Sequence, residues 1–74
     1  MRHEIKSIDF GQWVKAKRKA AGLNQVDLAK MIPTNKNTLS RWETGDRLPT
    51  LDNAERLAEI FGAELVLREK GYDG

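Results

Sequence analysis

Three residues, Pro33-Thr34-Asn35, separate two short runs of helical periodicity, and this gap limits what the chain can fold into more than any other feature. Proline has no N–H to donate, and its ring disfavours helical geometry in the residue before it, so a helix is expected to close at Ile32. Asn35 is a preferred N-cap whose side-chain oxygen can take a backbone N–H one turn on, so another helix should open at Lys36. The centre of the chain therefore reads as two short helices and a tight turn.

The remaining punctuation extends that pattern. Ser7 or Asp9 can cap a first helix that carries Phe10, Trp13, Val14 and the Ala20-Ala21 pair, with Gly22 as its terminator. Asn24 caps a second, and Asp27 stands three residues on, like a capping box with a shorter acid. Leu28, Ala29 and Ile32 form its inward side. In the third, Leu39 and Trp42 are i, i+3 neighbours facing the core, and Gly45 ends the helix. Asp46 to Pro49 read as a loop. Thr50 caps a fourth helix with Asp52 in its first turn, an apolar stripe at Leu51, Ala54, Leu57, Ala58 and Phe61, and a stop at Gly62. Beyond it the period shortens, and 63–70 read as one short strand. The expectation is an all-α fold, a compact four-helix domain over 8–62. A short arm, 1–7, precedes it, and a strand, 63–70, and a tail, 71–74, follow.

Bulk properties narrow the function classes. A chain of 74 residues buries only about 60% of its unfolded surface. It contains no cysteine, so disulfides and thiolate metal sites are excluded, and its single histidine is His3. Ser7 and Ser40 read as a cap and a helix-surface residue. No nucleophile with a partner base, metal-ligand cluster or glycine-rich phosphate loop stands out, so neither an enzyme nor a cofactor is expected. No apolar run approaches the roughly 20 residues of a membrane span, and no signal-peptide pattern opens the chain, so a cytoplasmic protein is expected. Net charge is +2, but it is unevenly spread. Residues 1–47 hold ten Lys and Arg against five Asp and Glu, and residues 48–74 hold three against six. One basic face for a polyanion fits this asymmetry, as does ordinary scatter of surface charge.

The third helix carries the functional signal. Lys36, Asn37, Ser40 and Arg41 fall at i, i+1, i+4 and i+5, one polar strip opposite Leu39 and Trp42. A helix with such a strip fits the major groove of DNA, about 12 Å wide. Asparagine suits adenine in a bidentate pair, and Lys and Arg suit the O6 and N7 of guanine. A merely solvated face is the rival reading. It leaves the short turn, the preceding capped helix and the basic N-terminal two thirds unexplained.

Gly22-Leu23-Asn24-Gln25, Leu28-Ala29, Thr38-Leu39-Ser40-Arg41-Trp42-Glu43, Gly45 and Pro49 together resemble the phage-repressor-type helix-turn-helix family, often called XRE, over about residues 8 to 65. The resemblance implies roles. Lys36, Asn37 and Arg41 match base-reading positions. Thr38 and Ser40 match positions that touch phosphate or bases in some members. Gln25 matches a phosphate contact at a helix start, where Asn24 can assist, and Arg47 matches a basic phosphate contact in the following loop. Arg18 and Glu43 match an ion pair tying the first helix to the end of the third. On the rival reading Arg18 lies on the surface with Lys15, Lys17 and Lys19. The chain departs from the family at Pro33-Thr34, where members usually have Gly-Val or a similar pair, and at Lys17, often apolar, whose methylene stem could still cover the core.

The segment Glu64-Leu65-Val66-Leu67-Arg68-Glu69 resembles antitoxin-type members in which a C-terminal strand pairs with its twin. A lone strand leaves backbone groups unpaired, so Leu65, Val66 and Leu67 are dimerisation candidates. The alternative is an irregular segment that packs Leu65 and Leu67 on its own core. The resemblance thus implies a homodimer on double-stranded DNA that acts as a repressor. The alternative is an antitoxin that also binds a toxin protein.

Overall fold

The computed structural model describes residues 7–65. Four helices follow one another there: α1 (Ser7–Ala20), α2 (Gln25–Met31), α3 (Lys36–Thr44) and α4 (Leu51–Ile60). No strand occurs among the described residues. Positions 63–65 are neither helix nor strand, and 66–70, most of the expected strand, lie outside the described residues along with most of the arm and the tail.

Side-chain caps start the last three helices. Asn24 accepts from the Asp27 N–H at 2.7 Å, Asn35 from the Thr38 N–H at 2.8 Å and Thr50 from the Asn53 N–H at 3.3 Å. Each bond satisfies one of the amide groups that a helix start leaves without a partner. α1 opens with Ser7 as its first helical residue and Asp9 within its first turn, so neither stands before the helix as a cap does.

Two glycines end helices by the same left-handed motif. Gly22 has φ 74°, and the N–H groups of Gly22 and Leu23 reach the carbonyls of Lys19 and Arg18. Gly62 has φ 71°, and Gly62 and Ala63 reach Glu59 and Ala58 in the same way. This is the Schellman pattern, which glycine adopts without a Cβ penalty. α2 ends differently. Its last helical residue is Met31, and Ile32, expected to leave helical geometry ahead of Pro33, keeps φ −97° and ψ −7° as the C-cap. The Thr34 N–H then bonds the Ala29 carbonyl at 2.9 Å. The long 6→1 bond thus forms across the proline, and no non-glycine residue here has positive φ.

The core consists of Val14, Leu28, Ala29, Ile32, Leu39, Trp42 and Leu57, with Ala54 and Ala58 also buried. Phe10, Trp13, Leu23, Ile60 and Phe61 pack around its edge. Trp13 stacks on Phe10 and meets Phe61 edge-on. Some expected inward positions are exposed. Leu51 is half exposed because, as the first residue of α4, it lies one turn before Ala54, where burial on that helix begins. Ala20 and Ala21 are exposed, since the inward side of α1 runs through Val14 and Arg18 and is complete before the Gly22 turn. Lys17 is exposed as well.

α1 and α2 both pack on α3. At the α1–α3 crossing, Gly11 is buried against the α3 backbone. A Cβ there would sit 2.6 Å from the Glu43 carbonyl oxygen and closer still to that of Trp42. The absence of a side chain at position 11 therefore sets how near α1 comes to the end of α3.

Candidate nucleic-acid interface

Leu39 and Trp42, 0% and 3% exposed, anchor α3 from below, and Glu43 is buried with them. Lys36, Asn37 and Arg41 stand exposed on the other side, while Ser40 and Thr38 are partly buried. The expected strip of four is thus three open side chains with Ser40 set back. Gly45 in the left-handed region stops the helix with φ 83°. The Arg41 carbonyl then accepts from both the Thr44 hydroxyl and the Arg47 N–H, each at 3.2 Å. That second bond folds the loop back, so Arg47 lies beside the last turn of α3 with its side chain exposed.

Beneath the strip a charged network joins three helices. Arg18 donates through Nε to Glu43 Oε2 at 2.7 Å and through Nη2 to Oε1 at 3.1 Å. The planar fork of arginine matches a carboxylate in this bidentate way. Its Nη1 donates to the Leu23 carbonyl at 3.0 Å, in the α1–α2 turn. The Gln25 Nε2 donates to Glu43 Oε1 at 3.0 Å. Arg18 and Glu43 are 8% and 4% exposed, so Arg18 is not one of the surface cations. No buried side-chain nitrogen or oxygen among the described residues lacks a partner.

The other expected phosphate contacts fall into two groups. Asn24 and Thr38 are tied to helix starts. The Asn24 oxygen is occupied as a cap, leaving only its amide N–H groups as donors to a ligand, and the Thr38 backbone N–H is bonded to Asn35. Gln25 and Arg47 present longer side chains, the first partly buried and the second exposed. Sequence reasoning did not find two features of this region, the Gly11 contact and the Gln25–Glu43 bond. A glycine inside a helical pattern is a usable signal for the first. For the second there is none, because a side-chain bond between residues 18 apart leaves no trace in periodicity.

Among the described residues, no group of His, Cys, Asp and Glu could hold a metal ion, and no helix is long and apolar enough to cross a membrane. A family model described as helix-turn-helix matches residues 14–67. The chain belongs to the phage-repressor-type helix-turn-helix family. This is a family of DNA-binding transcription regulators.

Relatives of this helix-turn-helix domain carry names of the same kind. The transcriptional repressor RstR of the cryptic phage CTXphi in Vibrio cholerae is 37% identical over 60 residues, which cover 77% of this chain and 54% of that protein. A 10 kDa protein of the ImmF control region of Bacillus phage phi105 is 32% identical over 73 residues, covering 86% of this chain and 81% of that protein. An HTH-type transcriptional regulatory protein of Pyrococcus abyssi is 36% identical over 56 residues, 76% of this chain but 18% of its own length. The chain thus spans about half or less of two of these relatives and most of the third.

Proposed function

We propose that this domain binds operator DNA sequence-specifically as a homodimer and represses transcription. The observation that carries the proposal is the two-sidedness of α3. Leu39, Trp42 and Glu43 fix one side in the core, and Lys36, Asn37 and Arg41 stand open on the other. These three offer the donors and acceptors that read base edges, with Ser40 a shorter contact beside them. Gln25, Arg47, Asn24 and Thr38 lie around them as phosphate contacts that set register and carry no sequence information. Repression is supported by the name of the Vibrio cholerae relative. Dimerisation through Leu65, Val66 and Leu67 is supported by the strand-like sequence after Gly62.

Selection of bound duplexes from a random pool tests the proposal. The expected product is a pair of inverted half-sites, with centres about 10 bp or a multiple of that apart. Affinity should fall steeply as salt rises, because each neutralised phosphate releases counterions. An unenriched pool together with salt-independent binding would overturn the proposal.

A further inference from the structure

Gln25 is held by half of its amide. Its Nε2 donates to Glu43 Oε1 at 3.0 Å, and that carboxylate is gripped at both oxygens by Arg18. Arg18 and Glu43 belong to the closed interior, whereas Gln25 is partly exposed at the first position of α2. A primary amide carries two N–H donors and an accepting oxygen. One donor points inward, and the amide has no second partner among the described residues.

We propose that Glu43 is a positioning residue for DNA binding. Through Nε2 it fixes the Gln25 amide so that the remaining N–H donates to a phosphate oxygen. The inference rests on the DNA-binding proposal above.

Two physical consequences follow. A free glutamine loses considerable rotamer freedom when a ligand orders it, and one already held loses less, which raises affinity by pre-organisation. The carboxylate that does the holding would by itself repel a phosphate. The Arg18 guanidinium neutralises it, so Arg18 both orients Glu43 and cancels its charge. The buried pair, placed to join α1 to α3, thereby reaches the surface through one neutral amide.

The first test needs no variant. In the free full chain, ¹⁵N relaxation of the Gln25 side-chain amide is compared with that of Gln12, which is exposed on α1. The expected order parameter for Gln25 approaches the rigid-backbone value of about 0.85, with Gln12 below about 0.6. Equal mobility of the two amides overturns the proposal.

The second test is a double-mutant cycle, with affinity for a random-sequence duplex read by fluorescence anisotropy. Gln25→Ala should weaken binding about tenfold, the low end for a hydrogen bond to a charged group. Glu43→Gln should weaken it similarly, and the double variant no further than Gln25→Ala alone. If circular dichroism shows Glu43→Gln unfolded, Glu43→Asp takes its place. It keeps a charge for Arg18 but withdraws the carboxylate by one methylene from Gln25. Losses that multiply in the double variant show that Glu43 acts on the fold alone and overturn the proposal. If the wild-type chain binds but Gln25→Ala binds equally well, this inference fails and the DNA reading survives. If the wild-type chain binds no duplex at any salt concentration, the DNA reading itself fails.

Discussion

At the scale of single residues, positions on opposite sides of α3 lead to opposite kinds of prediction. Gly11 lies below it, where a Cβ would collide with the Trp42 and Glu43 carbonyls. Backbone oxygens cannot swing away as a side-chain tip can, so Gly11→Ala should destabilise the domain despite the better helix propensity of alanine. Overpacking costs about 1–3 kcal/mol, and alanine returns roughly 1 kcal/mol. Urea unfolding should therefore show a lower midpoint, and a gain in stability would mean the helices are further apart. Above α3 stand Asn37 and Arg41, exposed and uninvolved in the core. Asn37→Ala or Arg41→Ala should leave the urea midpoint nearly unchanged. Each should cost about 1–3 kcal/mol of binding at one base position and relax discrimination there. Affinities for a panel of single-base operator variants would check this. A loss of equal size on every duplex would reassign the residue to phosphate contact.

At the scale of elements, the helix starts show how much was legible beforehand. Asn24, Asn35 and Thr50 cap where the sequence places caps, because an N-cap is a local bond between a side chain and an amide three residues on. Gly22, Gly45 and Gly62 are equally local signals. What periodicity misjudged was burial near helix ends. Leu51, Ala20 and Ala21 fit an inward stripe by spacing, yet whether a stripe is covered depends on where the neighbouring helix stops. The α2–α3 turn was hard to read for another reason. Members of the family usually have Gly-Val or a similar pair there, and Pro33, with φ fixed at about −65°, cannot take the left-handed conformation open to glycine, yet the Thr34–Ala29 bond closes the turn without it. The orientation of α3 then depends on the Asn35 cap as much as on that turn. Asn35→Ala should cost about 1 kcal/mol of stability, since it strips the first turn of α3 of its capping acceptor. It should also weaken DNA binding more than Thr50→Ala, the cap of α4, does, because it loosens the N-terminal turn that carries Lys36 and Asn37. Paired urea melts and anisotropy titrations separate the two effects. Equal losses of affinity for the two variants would mean that the start of α3 does not contact DNA.

At the scale of the whole molecule, the buried Arg18–Glu43 pair ties the first helix of a small domain to the end of its third. Domains typically have about 5–15 kcal/mol of stability in total. Removing one member of a buried pair costs roughly 3–5 kcal/mol, because the other charge stays buried and unpaired. Arg18→Ala also deprives the Leu23 carbonyl of a donor. It should leave the chain largely unfolded at moderate temperature, and a urea midpoint equal to wild type would show that the pair contributes little. On the homodimer proposal, the segment after Gly62 would make the remaining difference between a DNA-binding fold and a working regulator. One copy offers one reading helix, and a single half-site gives limited discrimination. Pairing two copies through Leu65, Val66 and Leu67 would join two half-sites in one binding event, so affinity for a full operator would depend on protein concentration. Among the described residues the buried core lies between Val14 and Ala58, so a chain ending at Gly62 should keep its helices. By sedimentation, the full chain should be a dimer at micromolar concentration and the shortened chain a monomer. The shortened chain should then bind a single half-site as tightly as the full chain but lose its preference for the palindrome. Identical sedimentation of the two chains would place the dimer contact elsewhere, or show that one copy acts alone.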